Sequence, residues 1–160
     1  MEIIRDLQSQ PMLDEKQLGV ILRRHSRNHN GVFSKNLIIR TYRYLCDSGE
    51  LQPDPKLIQR LRMKPTRTIS GVAPVTVLTK PYPCPGKCIF CPTDARMPKS
   101  YLSDEPGAMR AEQHKFDPFD QTDARIATFR DNGHEVDKIE LLILGGTWSS
   151  YPGDYQEWFV

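Results

Sequence analysis

The sequence predicts an α/β chain in two parts: a basic helical region over residues 1–70, then the opening of a parallel βα fold over residues 71–160. Three observations carry this. Charge is uneven: residues 1–70 hold 13 Lys/Arg against 7 Asp/Glu, a net of +6, while residues 71–160 hold 9 against 13, a net of −4. Apolar residues recur at helical spacing in the first part. The second part runs strand, loop, helices, strand, helix, the repeat from which parallel sheets and barrels are built.

The bounds are those of an ordinary globular chain. It has 160 residues, 38% hydrophobic and 26% charged, with a net charge of +2, enough for a domain or a domain and a half. "MEIIRDLQSQ" shows no basic segment followed by an apolar one, so no secretory leader is expected. No stretch approaches the roughly 18 apolar residues of a membrane span, so no membrane partner is expected. A cytoplasmic location follows, where thiols stay reduced.

In the basic part, "LDEKQLGVILRRH" gathers Leu13, Leu18, Val20, Ile21 and Leu22 toward one side of a helix, with Asp14 as N-cap. The segment from Gly31 to Leu51 offers Ser34 as N-cap, a stripe of Leu37, Ile38, Tyr42 and Leu45, and Gly49 as a stop. Cys46 near its end reads as a small buried apolar residue. A third short helix begins at Asp54-Pro55. Between the first two helices, "RRHSRNHNG" (23–31) reads as a loop whose Arg23, Arg24 and Arg27 suit phosphate contacts, joined by Arg40 and Arg43 on the second helix. The competing reading is a polar connector and a solvated helical surface. Tyr42 and Tyr44 could stack on bases, or form core and rim.

In the second part, Val75–Lys80 alternates and is rich in β-branched residues, a strand stopped by Pro81 and Pro83. Helices follow in "EPGAMRAEQHK" and from Asp117-Pro118 to Gly133. "DKIELLILGGT" predicts a second strand, buried on both faces by its continuous apolar run, and "SYPGDYQEWFV" another helix. Ligands of such folds gather at the carboxyl ends of the strands. A cysteine-rich loop and Gly145-Gly146 both fall there.

That loop, "PCPGKCIFCPTD", places Cys84, Cys88 and Cys91 within eight positions. Three clustered thiols cannot pair among themselves. Structural zinc wants four ligands, usually as two pairs; His114 or Asp94 could complete one, but no second pair is present. An iron–sulfur cluster on three thiolates fits better and leaves one iron free for a ligand. The spacing, with Phe90 before the last cysteine, is similar to the fingerprint of radical S-adenosylmethionine enzymes.

The motifs extend the resemblance. "KPTRTISGVAPVTVLTKPYPCPGKCIFCP", Ser100-Tyr101, Glu105-Pro106, Met109-Arg110-Ala111 and Gly145-Gly146-Thr147 resemble, in order, the catalytic subunit of Elongator and its bacterial and archaeal homologues. The match runs from about Lys64 to Val160, and the compact cysteine spacing resembles the bacterial or archaeal members. The resemblance implies the first part of a radical-SAM (partial TIM-type) barrel behind a tRNA-binding region. It implies a [4Fe-4S] cluster on Cys84, Cys88 and Cys91, and S-adenosyl-L-methionine near Phe90, Gly145, Gly146 and Thr147. It implies carboxymethylation at C5 of the wobble uridine of tRNA, with acetyl-CoA as co-substrate held outside this chain. Other Elongator subunits are implied as partners only for a eukaryotic source. The chain then holds the N-terminal part of such a protein, and its own activity does not follow. Two other functions compete: another radical enzyme acting on RNA, such as a tRNA methylthiotransferase, which usually carries a further cysteine set upstream, and a non-enzymatic tRNA-binding module with a metal loop.

Overall fold

The computed structural model describes residues 1–10, 14–26 and 31–160. Among them stand helices α1 (Glu2–Ser9), α2 (Glu15–Arg24), α3 (Lys35–Asp47), α4 (Pro55–Leu61), α5 (Pro106–Gln113), α6 (Pro118–Asp131) and α7 (Gly153–Phe159), and strands β1 (Ala73–Leu78) and β2 (Ile139–Leu144). The chain is α/β and divides into two compact units. One comprises Met1–Gly71 with Thr128–Glu135, the other Val72–Ala127 with Val136–Val160. No described helix is long and apolar enough to cross a membrane.

The helical unit is built on local signals. Asp14 caps α2 reciprocally: its carboxylate accepts from the Gln17 N–H at 2.7 Å, and Gln17 Oε1 accepts from the Asp14 N–H at 3.1 Å. Asp54 caps α4 by accepting from the Lys56 N–H at 3.0 Å, with Pro55 at the first helical position. Ser34 precedes α3, but its hydroxyl turns to Asn36 and caps no N–H. Gly49 takes a φ of +78°, which ends α3 at no steric cost. Ile4 and Leu7 of α1 enter the core with Leu57 and Leu61 of α4. On α3 the buried residues are Ile38, Ile39, Tyr42 and Leu45, so Ile39 takes the place expected for Leu37, which is exposed. Tyr42 is therefore core and closed to base stacking, while Tyr44 is 69% exposed. Cys46 is half-buried against the same core.

In the sheet unit, β1 and β2 pair in parallel, Ala73 opposite Ile139 through Leu78 opposite Leu144. β1 is buried, with α5 against it through Leu78, Ala108 and Ala111. Its N–H groups at Ala73 and Thr79 donate toward β2, so those at even positions face away. There Pro74 offers no donor. At Leu78 the buried amide of Gln121 takes both backbone groups: Oε1 accepts from its N–H at 2.9 Å and Nε2 donates to its carbonyl at 3.0 Å. One side chain thus closes the outer edge of β1 at Leu78, as a third strand would. β2 corrects the sequence expectation: its apolar residues are 36–45% exposed instead of buried on both faces. A parallel strand is covered when helices or further strands flank it; among the described residues β2 has β1 on one side.

Candidate functional site

The loop after β1 and the turn after β2 meet at the carboxyl ends of the strands. Gly145, directly after β2, is required sterically. A Cβ there would lie 1.8 Å from Thr79 Oγ1, so the side chain of Thr79 fills the space that glycine leaves. At Gly146 a Cβ would meet Lys99 at 3.6 Å, an ordinary contact. Thr79 Oγ1 lies 2.7 Å from the Tyr151 hydroxyl, which donates to the Lys80 carbonyl at 2.8 Å. Tyr82 and Tyr155 stand against Tyr151 with ring centroids 5.0 and 5.1 Å away. This aromatic group fixes the path of the chain as it leaves β1 for the cysteines.

Two of the three loop cysteines are tied to hydroxyls from other segments. Cys84 Sγ lies 3.2 Å from Thr147 Oγ1 and accepts from the Gly86 N–H at 3.4 Å. The Thr147 hydroxyl, then that amide, hold the Cys84 thiol below its ordinary range, with a further contribution from the Lys99 ammonium. Cys91 Sγ lies 3.0 Å from Ser100 Oγ. Cys88 is exposed, and among the described residues its sulfur has no hydrogen bond. Its carbonyl accepts from the Cys91 N–H at 3.3 Å.

All three thiols are free. A Cβ on Gly86 would sit 3.4 Å from the Cys84 sulfur and 3.7 Å from the Cys88 sulfur, ordinary contact distances that place both sulfurs beside one backbone position. Among the described residues, no three His, Cys, Asp or Glu side chains are gathered closely enough to hold a metal ion. Thiolates on a multi-iron cluster bind different irons and stand farther apart than around one ion. Three free thiols in one loop are the donors such a cluster takes. Asp94 is a poor zinc ligand here: its carboxylate accepts from the Arg96 and Ser103 N–H groups at 3.0 and 3.2 Å.

Beside Cys84 opens a cavity of 390 Å³, lined among others by Tyr82, Gly86, Thr93, Asp94 and Lys99. Lys99 Nζ donates to Thr93 Oγ1 at 2.6 Å. The sequence expectation assigns no site role to Tyr82, Thr93 or Lys99, and Ser100 enters it only as part of the Ser100-Tyr101 motif. Their place depends on how the loop folds back, which no local pattern encodes. Phe90 stands 91% exposed.

The arginines sit on helices more than on a loop. Arg23 and Arg24 form the last turn of α2, where cations suit the helix dipole. Arg24 pairs with Asp6 at 3.2 Å, and Arg40 with Asp131 at 3.7 Å. Arg43, three residues from Arg40 on α3, lies beside exposed Tyr44. Arg27 and Leu13 lie outside the described residues.

No protein-family model matches the chain. It is 51% identical over 110 residues to a tRNA uridine(34) acetyltransferase of Methanocaldococcus infernus, 65% of this chain and 21% of that protein. It is 41% identical over 115 residues to Elongator complex protein 3 of Mus musculus, 65% of this chain and 21% of that protein. It is 35% identical over 150 residues to Elongator complex protein 3 of Saccharomyces cerevisiae, 83% of this chain and 27% of that protein. The resemblance carried by the motifs therefore holds, and the chain spans about a fifth to a quarter of the length of these relatives.

Proposed function

We propose that this chain, a homologue of the Elongator catalytic subunit and of tRNA uridine(34) acetyltransferases, serves modification of the wobble uridine of tRNA as part of a radical S-adenosylmethionine enzyme of the cytoplasm. The observation that carries it is the 51% identity over 110 residues to a protein named tRNA uridine(34) acetyltransferase. The cysteine loop at the carboxyl ends of two parallel strands supports it. In this reading Cys84, Cys88 and Cys91 hold a [4Fe-4S] cluster. Phe90, Gly145, Gly146 and Thr147 flank S-adenosylmethionine, and β1 and β2 open a radical-SAM barrel. When bound, the cluster and S-adenosylmethionine would supply radical chemistry at a C–H bond of the co-substrate. The residues of the chain provide positioning: Thr147 orients Cys84, and the aromatic group around Tyr151 fixes the strand exit. In this reading the modification is carboxymethylation at C5, with acetyl-CoA as co-substrate.

Anaerobic loading with iron and sulfide tests the cluster. Cys84→Ser, Cys88→Ser and Cys91→Ser should each lose the brown visible band, while Cys46→Ser, half-buried against the helical core, keeps it. A full cluster in Cys88→Ser, or stoichiometric zinc without sulfide in the unaltered chain, overturns the assignment.

The helical unit is proposed to hold the tRNA backbone through Arg23, Arg24, Arg27, Arg40 and Arg43. Affinity for tRNA should fall with salt, with a log–log slope of roughly −0.7 to −0.9 per phosphate neutralised. Arg23→Ala, Arg24→Ala and Arg43→Ala combined should weaken all tRNAs alike and flatten the slope. A filter-binding series that shows no salt dependence, or no loss in the triple variant, points to a solvated surface instead.

A further inference from the structure

We propose that Ser100 and Thr147 are positioning residues that donate hydrogen bonds to the cluster-binding sulfurs of Cys91 and Cys84 and raise the reduction potential of the cluster they hold. This rests on the cluster reading of the cysteine loop. The geometry is specific. Thr147 Oγ1 is 3.2 Å from Cys84 Sγ, across 63 positions of sequence, and Ser100 Oγ is 3.0 Å from Cys91 Sγ. Ser100 carries a φ of +83°, a left-handed backbone uncommon for a residue other than glycine. Such conformations persist where surrounding structure enforces them, and they gather at functional sites.

A ligating thiolate has no proton to give, so in both contacts the hydroxyl is the donor. Each bond draws electron density from sulfur. That favours the more negative, reduced state of a cluster, and hydrogen bonds to sulfur are among the levers that set cluster potentials. The third sulfur, on Cys88, has no such donor among the described residues. The effect should therefore come from two separable bonds.

The test is an anaerobic dithionite titration of the loaded 160-residue chain, followed by electron paramagnetic resonance. Dithionite supplies one electron per cluster, and no bond is made or broken. Thr147→Val removes one hydroxyl at nearly constant shape. Ser100→Gly removes the other while keeping the positive φ, which glycine adopts freely. Both variants should take up iron and sulfide as the unaltered chain does, yet show midpoints shifted to more negative potential, with the double variant lower still. Thr147→Ser should restore the midpoint. Midpoints unchanged in both single variants overturn the proposal while leaving the cluster reading intact. Failure of the unaltered chain to take up iron and sulfide overturns the cluster reading, and this inference with it.

Discussion

Ile39→Ala is expected to destabilise the helical unit by about 2–5 kcal/mol, while Leu37→Ala, two positions earlier on α3, should cost less than about 1 kcal/mol. Ile39 is fully buried, in one core with Ile4, Leu7, Leu57 and Leu61. Truncation removes three carbons from water-free surroundings and leaves a cavity that helices on all sides can only partly close. Leu37 is 36% exposed and lies outside that core, so its loss leaves little void. Urea unfolding followed by circular dichroism at the helical minimum reads the difference. Similar losses in the two variants would return the α3 stripe to the position its apolar spacing alone suggests.

Gly145→Ala should destabilise the sheet unit by about 3 kcal/mol, at the upper end of overpacking costs. The added Cβ would stand 1.8 Å from Thr79 Oγ1 and 3.0 Å from Thr79 Cβ, so either β2 or the exit of β1 must move. That exit carries the hydrogen bonds of Thr79 and Lys80 to Tyr151 and Tyr155, and beyond them Cys84. The variant should therefore lose both stability and the Thr147 contact to Cys84. Thr79→Ala removes the oxygen at the clash. In the double variant the summed cost should be smaller than that of the two single changes, the mark of direct contact. Fluorescence of Trp148 and Trp158, both in the sheet unit, follows the unfolding. Strict additivity would mean that the two positions do not meet.

Much was readable from the chain in order. The caps at Asp14 and Asp54 are local chemistry: a carboxylate and the N–H groups two or three residues on. β1 and β2 came from side-chain alternation and an apolar run, and the two-strand parallel pairing agrees with the α/β expectation. Helix α1 is not among the expected elements: Ile3, Ile4 and Leu7 carry helical spacing, but Met1 offers no capping side chain to mark its start. The cysteine spacing and the ordered motifs are properties of the string itself, and they point to the same relatives that the chain matches over 110 residues.

What tertiary structure decided was whatever depends on which distant segments meet. The expected stripe on α3 ran through Leu37 and passed over Ile39; the core that α3 shares with α1 and α4 takes Ile39 and leaves Leu37 exposed. The run in β2 announced a strand, but its burial depends on what flanks it, and here its side chains stay exposed. Segment 128–135, read from sequence as the end of a helix in the second half, groups with the helical unit. Thr147 reaches Cys84, Gln121 closes the edge of β1 at Leu78, and Thr79 fills the space left by Gly145, across 63, 43 and 66 positions of chain. Caps and turns are set by neighbours within a few bonds, so sequence determines them. A hydroxyl 3 Å from a sulfur requires two strands in register and a loop folded back, and only the assembled fold sets those together.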